Sequence, residues 1–156
     1  MKIGIILHSQ SGTTAKVARV ISSLLTDKGY DVDTHLLRTI GKVSPGSSSF
    51  ELKNIPETDG YECLILAGPV WAFSASPVIM KYINQLGRLN DKKALCFVTK
   101  GLPFQWTGGT RALNTMESEL ALSGAEILPG AILYAFCIRK DSALRKAVEQ
   151  IVELLP

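Results

Sequence analysis

The chain has 156 residues, a length typical of one compact domain. Hydrophobic residues make up 46% of it and charged residues 20%, which excludes a disordered or fibrous chain. The net charge is only +3 and basic residues alternate with acidic ones, so the sequence does not indicate a nucleic-acid-binding surface. No apolar stretch is long enough to span a membrane and no signal peptide is recognisable, so we expect a cytoplasmic protein of one domain, residues 1–156.

The cysteines indicate no disulfide framework and no metal site. Cys63, Cys96 and Cys137 lie far apart, each in an apolar segment that resembles a strand. An odd number of widely spaced cysteines does not suit a set of disulfides, and no Cys-x-x-Cys or paired histidines have the spacing of metal ligands. We therefore predict buried thiols and no bound metal.

The first predicted strand ends in a turn of hydroxyl-bearing residues. An apolar run predicts this strand over Lys2–Leu7, and a helix with one apolar face follows from about Thr13 to Lys28, where Gly29 ends it. The turn between them contains Ser9, Gln10, Ser11, Gly12, Thr13 and Thr14. Free N–H groups at a helix N-terminus bind anions, and glycine lets the backbone approach closely. The turn therefore predicts a phosphate site, the alternative being a capped helix without a ligand.

This turn lacks the signatures of two common nucleotide-binding loops. It has neither the Gly-Lys-Ser/Thr of NTP-binding loops nor the Gly-x-Gly-x-x-Gly of dinucleotide-binding folds. No Lys or Arg occurs between His8 and Thr14. A phosphate held by amides and hydroxyls alone suits the monoester of a mononucleotide.

Strand and helix patterns alternate along the rest of the chain. A half-buried strand is predicted over Val32–Leu36 and a fully buried strand over Tyr61–Ala67. Residues 38–60 between them are predicted to form a long surface loop with at most a short helix. The later elements are a helix from Ser76-Pro77 to Gly87, a strand over Ala94–Val98, a helix over Thr110–Ser123, a strand around Ala131–Phe136 and a last helix capped by Asp141 or Ser142.

This alternation predicts an α/β fold in three layers. Five strands separated mostly by helices predict a doubly wound parallel sheet of strand order 2-1-3-4-5 with helices on both faces. Such a sheet binds its ligand beyond the carboxyl ends of the strands, at the switch point of the strand order. The loops after the first, third and fourth predicted strands should therefore converge on one site.

The second and third of these loops are rich in aromatic residues and glycine. They read Gly68-Pro69-Val70-Trp71-Ala72-Phe73-Ser74-Ala75-Ser76-Pro77 and Thr99-Lys100-Gly101-Leu102-Pro103-Phe104-Gln105-Trp106-Thr107-Gly108-Gly109. Aromatic side chains at the carboxyl end of a strand are suited to cover a flat apolar ligand. Packing of these side chains on a neighbouring helix or a partner subunit is the alternative.

In these three loops the chain resembles the flavodoxin-like FMN-binding family, which includes flavodoxins and NAD(P)H-dependent FMN oxidoreductases. Segment Ser9–Thr14 matches the hydroxyl-rich phosphate loop of the family. Gly68–Trp71 matches its second flavin loop, and Thr99–Gly109 occupies the position of the third. The resemblance extends in order over nearly the whole chain and implies the flavodoxin-like fold.

The resemblance implies a site for non-covalently bound FMN. The residues expected to hold the phosphate are Ser9, Gln10, Ser11, Gly12, Thr13 and Thr14. Those expected along one side of the isoalloxazine are Pro69, Val70, Trp71, Ala72 and Phe73. Those expected at its pyrimidine edge are Thr99, Lys100 and Gly101, with Phe104 or Trp106 over the other side. Because the flavin carries the redox chemistry, no catalytic side chain is named.

The functions implied are an electron-transfer flavoprotein and two alternatives. As a carrier, the protein would pass electrons to a redox partner protein or to a small acceptor such as a quinone. The first alternative is an NAD(P)H-dependent quinone or flavin reductase, favoured because this chain has a pI near 8.8 whereas electron-transfer flavodoxins are typically acidic. The second is a flavodoxin-fold interaction module without cofactor. A homodimer stays open, since Trp71, Phe104 and Trp106 could cover a second subunit.

Lys100 lies where acidic residues are more usual in the family. A cation near the pyrimidine edge would stabilise the fully reduced anionic flavin by Coulomb attraction. The second reduction step should therefore have a less negative potential than in an acidic flavodoxin. The alternative is a solvated lysine that points away from the flavin.

Overall fold

A mostly parallel sheet flanked by helices forms the protein, as a computed structural model describes it over residues 1–101 and 108–156. In chain order the elements are β1 (Lys2–Leu7), α1 (Thr13–Asp27), β2 (Asp31–Leu36), β3 (Thr39–Ile40), β4 (Glu51–Leu52), β5 (Cys63–Trp71), β6 (Ser74–Ala75), α2 (Pro77–Gln85), β7 (Lys93–Lys100), α3 (Gly109–Leu122), β8 (Glu126–Ile127), β9 (Ala131–Tyr134), α4 (Ala135–Ile138) and α5 (Asp141–Glu153). None of the described helices is long and apolar enough to cross a membrane.

The order of the main strands confirms the predicted topology. The path across the sheet is β2-β1-β5-β7-β8, and β9 pairs with β7 beyond the end of β8. Every pairing along this path is parallel. Counted by position in the chain, this is the predicted order 2-1-3-4-5 with the fifth strand in two pieces. The switch point lies between β1 and β5, because the chain leaves β1 for one edge of the sheet and returns to its other side.

Two apolar layers hold the helices to the sheet. On one face, α1 and α5 bury Ile21 and Val148 against the strands, and on the other face α2 and α3 bury Ile79 and Met116. The central strands are buried on both faces, which explains their continuous apolar runs. Edge strand β2 is only half-buried and alternates in polarity, as predicted.

Residues 38–60 are not a plain loop with a short helix, as the sequence predicted. They contain an antiparallel ribbon in which Thr39 of β3 lies opposite Leu52 of β4. The ribbon is held because Phe50 and Leu52 are buried in the apolar layer that also contains α2. Strands of two residues are too short to show a period in the sequence, so the pattern could not predict them.

The third predicted strand was placed too early and made too short. β5 begins at Cys63 rather than at Tyr61 and continues through Gly68, Pro69 and Val70 to Trp71. It then turns back as β6, with Val70 opposite Ala75 and Trp71 opposite Ser74. The segment predicted as a second loop is therefore a β-hairpin. Val and Trp favour strands. Pro69 lies beyond Ala67, the last residue of β5 that pairs with β1, so on that side of the strand its missing N–H breaks no ladder.

The end of the chain also differs from the prediction. The fifth strand is interrupted between β8 and β9 at residues 128–130, and Phe136 lies in the short helix α4 rather than in a strand. Pro129 and Gly130 at the interruption explain the break. The last helix is preceded by Lys140 as N-cap, and Asp141 is its first residue rather than its cap. Cys63 and Cys96 are buried as predicted, whereas Cys137 is half-buried.

Candidate functional site

The carboxyl ends of β1, β5 and β7 surround a pocket of about 280 Å³. All three loops that the sequence predicted to converge contribute to its wall. The lining residues are Gln10, Ser11, Thr13, Thr14, Pro69, Val70, Trp71, Thr99, Lys100, Gly101 and Ala135. Ala135 was not predicted, although it follows the fifth strand at the same edge of the sheet and could have been found on that ground.

The other predicted cofactor-binding residues lie around this pocket rather than in its described wall. Ser9 lines a neighbouring cavity and Gly12 is the N-cap of α1. Ala72 and Phe73 form the tip of the β5–β6 hairpin, where both are exposed. Phe104 and Trp106 lie outside the described residues.

The N-terminus of α1 presents backbone N–H groups at the pocket. Gly12 has a φ of +89°, and no side chain at this position caps the helix. The Ser9 hydroxyl accepts a hydrogen bond from the Ala15 N–H at 3.2 Å. Within residues 1–101 and 108–156, no carbonyl or side chain accepts from the N–H groups of residues 11–14. These groups and the dipole of a 15-residue helix can bind an oxyanion.

A hydroxyl pair connects the first loop with the third. Thr14 Oγ1 lies 2.8 Å from Thr99 Oγ1, and both side chains are buried. Ser11 Oγ lies 3.2 Å from Thr13 Oγ1 at the exposed side of the turn. The buried pair fixes the start of α1 to the end of β7, so that the two walls of the pocket keep a constant spacing.

Lys100 is buried at the end of β7, with 6% of its surface exposed. Its Nζ atom lies 5.7 Å from the centre of the Tyr134 ring, and desolvation lowers the pKa of its ammonium group. Lys100 is therefore not a solvated lysine, whereas its place at the pyrimidine edge of a flavin stays a prediction. Lys100 is the one charged residue in the described wall of the pocket, which contains no carboxylate.

A buried histidine, which was not singled out from the sequence, supports Trp71. Nδ1 of His8 lies 2.7 Å from Oγ of Ser76, and this oxygen also accepts the Ile79 N–H at 3.3 Å as the N-cap of α2. The rings of His8 and Trp71 meet edge to face with centroids 5.1 Å apart. Burial lowers the pKa of His8 to about 4, so its imidazole is neutral at pH 7. Trp71 thus packs against a neutral imidazole that is itself hydrogen-bonded to Ser76, the N-cap of α2.

The tip of the β5–β6 hairpin is strained and rests on the start of α3. Ala72 and Phe73 have φ values of +46° and +66°, a conformation that costs side-chain-bearing residues energy. A Cβ atom added at Gly108 would lie 2.4 Å from the Phe73 backbone. Gly108 must therefore be glycine for the hairpin to reach this position.

Comparisons with known proteins find similarity in structure but not in sequence. No protein-family model and no curated protein sequence matches the chain. Flavodoxin 2 from Bacillus cereus superposes with a TM-score of 0.76 at 16% identity, covering 99% of this chain and 97% of that one. A flavodoxin from Streptococcus pneumoniae TIGR4 gives 0.69 at 19% identity, with coverage of 99% and 97%.

A third solved structure is a flavodoxin variant from Fusobacterium nucleatum bound to flavin mononucleotide. It superposes with a TM-score of 0.66 at 17% identity and covers 98% of this chain and 94% of that one. Such similarity over nearly the full length of both chains defines the fold. The chain has the flavodoxin-like fold, as its sequence predicted.

Proposed function

We propose that the protein binds FMN non-covalently and transfers electrons through it. Segment Ser9–Thr14 would hold the phosphate, and Pro69 to Phe73 would lie along one side of the isoalloxazine. Thr99, Lys100 and Gly101 would approach its pyrimidine edge, and Phe104 or Trp106 would cover the other side. Bound FMN would supply the redox-active ring, and the protein would set its orientation and potential.

The observation that carries this proposal is the set of backbone N–H groups at the start of α1. Residues 11–14 keep these donors without a protein acceptor in the described chain, beside a pocket whose described wall contains no carboxylate. The first N–H groups of an α-helix have no partner within the helix, and here Ser11 and Gly12 are exposed, so a ligand can reach these groups from solvent. A phosphate monoester is the ligand that satisfies several N–H donors at once.

The wall opposite α1 suits a flat apolar ring. Trp71 lines the pocket on a hairpin that is held at two places, by the contact of the His8 and Trp71 rings and by the close approach of Gly108 to Phe73 at the tip. Thr99 and Gly101 at the end of β7 place backbone groups within reach of the polar edge of such a ring. The task of these residues is to bind the ring and to exclude water from one of its sides.

Binding of FMN and riboflavin to the cofactor-free protein tests the proposal. The two ligands differ only in the phosphate, so FMN should bind more tightly by about 100-fold, the value of one or two strong charge-assisted hydrogen bonds. Titration followed by quenching of flavin fluorescence measures both constants. Equal affinity would place the phosphate elsewhere. Failure of both flavins to bind would favour the interaction module without cofactor.

A second candidate function is an NAD(P)H-dependent quinone or flavin reductase. The basic character of the chain and the buried Lys100 favour it, because they attract an anionic reductant and stabilise a reduced flavin. Anaerobic mixing of the FMN-loaded protein with NADPH or NADH distinguishes the candidates. Bleaching within seconds would identify a reductase. Reduction by a flavoprotein reductase but by neither nucleotide would identify a carrier that serves a partner protein.

A further inference from the structure

A second cavity, of about 740 Å³, adjoins the first and is also lined by Trp71. It is formed where the end of β1 meets the chain that leaves β2. Its polar and aromatic wall includes His8, Gln10, Arg38, Lys42, Ser44 and Trp71. The volume lies within the usual range of small-molecule sites, about 300–1,000 Å³.

The wall that carries Arg38 is anchored by hydrogen bonds. The Arg38 N–H donates to Oδ1 of Asn54 at 2.7 Å, and the Arg38 carbonyl accepts from the Lys53 N–H at 2.8 Å. Nδ2 of Asn54 also donates to the Leu36 carbonyl at 3.0 Å. One asparagine thus fixes the backbone on both sides of Leu37, which is buried. The position from which the guanidinium projects is therefore set by the fold.

The wall that carries Lys42 is equally defined. Lys42 follows Gly41, whose φ of +92° makes the turn out of β3, and the Thr39 hydroxyl donates to the Gly41 carbonyl at 3.3 Å. Beyond it, Ser44 begins a turn in which the Ser47 N–H donates to the Ser44 carbonyl at 2.9 Å. Arg38 and Lys42 therefore lie on either side of strand β3, which belongs to the β3–β4 ribbon.

The charges in this cavity have one sign. Arg38 and Lys42 line it, and none of its described lining residues is a carboxylate. In the part of the chain that the structure describes, neither cation forms an ion pair with an acidic side chain, whereas several other lysines do. Two cations without a neighbouring acid make a wall that attracts an anion.

The two cavities share a wall. Gln10 and Trp71 line both of them, so a ligand in the second cavity lies against the indole that borders the first. The indole is amphipathic and takes a flat ring as a partner. A ligand that fits both the charge and the wall therefore has an oxyanion at one end and an aromatic or heteroaromatic ring at the other.

We propose that this cavity binds a small organic anion, with its phosphate or carboxylate at Arg38 and Lys42 and its flat ring against Trp71. Two sources supply such a ligand: a pyridine dinucleotide, or a quinone that carries an acidic group. The use of the ligand in electron transfer rests on the proposed function, because only a flavin in the first pocket would make it a redox partner. The binding itself does not depend on FMN.

The test compares a double variant with a control of equal charge. Arg38→Ala/Lys42→Ala removes both cations, and Arg88→Ala/Lys146→Ala removes two exposed cations elsewhere, so the net charge falls by two in each. Arg88 lies in the loop before the amino end of β7, whereas the cavity lies at the carboxyl ends of the strands, and Lys146 lies on α5. Isothermal titration calorimetry with NADP⁺, NAD⁺, a carboxylated naphthoquinone and neutral menadione measures binding to each protein.

We expect the Kd of an anionic probe to rise roughly threefold to thirtyfold in Arg38→Ala/Lys42→Ala, as for two charge contacts of exposed side chains, and to stay constant in the control. The Kd of menadione should be the same in both variants as in the parent protein.

Loss of dinucleotide binding in Arg38→Ala/Lys42→Ala would identify the nucleotide as the source of the ligand. Loss of naphthoquinone binding would identify the acidic quinone. Equal effects in the two variants, or no binding of any anionic probe at millimolar concentration, would overturn the proposal. The flavin content of each protein, read from its absorbance, reports separately on the proposed function.

Discussion

Nδ1 of His8 lies 2.7 Å from Oγ of Ser76, so the end of β1 is joined directly to the N-cap of α2. The same imidazole supports the indole of Trp71 at a centroid distance of 5.1 Å. A single neutral side chain thus connects the end of β1, the start of α2 and the Trp71 ring in the wall of the pocket. A proton on His8 would place a charge at this buried position.

His8 should make the protein less stable in mild acid. Burial lowers the pKa of His8 from 6.5 to about 4, so between these values the unfolded chain binds a proton that the folded protein does not. The free energy of unfolding should therefore fall as the pH drops from 6.5 to 4, by up to about 3 kcal/mol from this group. Urea unfolding between pH 4 and 7.5 measures the slope.

His8→Asn is the control for this pH dependence. Asparagine keeps a polar group near Ser76 but does not titrate, so the variant should lack this part of the pH dependence. Other titrating groups contribute equally to both proteins, and the difference between the two curves isolates His8. The same slope in both would show that His8 is not the group responsible.

Gly12→Val should abolish FMN binding without unfolding the protein. Gly12 has a φ of +89°, which a β-branched residue adopts only at a cost of about 1–3 kcal/mol, and its movement would misplace the N–H groups of the turn. Gly29→Val is the matched control, because Gly29 has a φ of +92° and likewise has no atom within 4 Å of an added Cβ, but lies at the far end of α1.

Both glycine variants should lose similar stability, as thermal unfolding would show. Only Gly12→Val should lose FMN affinity, as measured by fluorescence titration. If Gly12→Val kept the affinity of the parent protein, the phosphate site would have to lie away from the start of α1.

Lys100→Glu should make the second reduction potential of the bound flavin more negative. Lys100 is buried in the pocket wall, where a charge is poorly screened, and reversing its sign removes an attraction to the reduced anionic flavin. We expect a shift on the order of 100 mV for Glu and about half of that for Lys100→Met, from Coulomb energies at an effective dielectric constant near 20. Anaerobic titration with a reference dye measures the potential of the second reduction step. The same potential in all three proteins would mean that Lys100 does not stabilise the reduced flavin.

Gly108→Ala should release the β5–β6 hairpin from α3. The new Cβ would lie 2.4 Å from the backbone of Phe73, a contact that the hairpin can relieve only by moving. Gly41→Ala is the control, because Gly41 has a similar φ of +92° and no atom near an added Cβ. We expect Gly41→Ala to cost about 1–2 kcal/mol and Gly108→Ala at least about 2 kcal/mol more. Equal losses of stability would mean that the hairpin does not rest on Gly108.

The sheet order and the position of the pocket could be predicted because their signals are long. The buried runs of β1, β5 and β7 and the apolar faces of the helices extend over several turns or strand residues, and parallel strands place their carboxyl ends together. The start of α1 after the hydroxyl-rich turn was also predictable, since Gly12 directly precedes a strongly amphipathic helix; the binding of a phosphate by this turn stays a prediction.

The missed features depend on contacts between distant residues. The ribbon β3–β4 forms because Phe50 and Leu52 find a buried place beneath α2, and the hairpin forms because Gly108 leaves room for Phe73. His8 acquires its role from Ser76, 68 residues further along the chain. Contacts between residues so far apart in the chain leave no periodic pattern in the local sequence, so they could not be predicted from it.

The visible absorption spectrum of the purified protein, recorded after incubation with FMN and removal of unbound flavin, shows whether the protein binds FMN. We expect a retained flavin spectrum whose bands are shifted from those of free FMN, because the ring would lie against Trp71 out of water. A colourless protein that is folded by circular dichroism and cannot be reconstituted with FMN would contradict it.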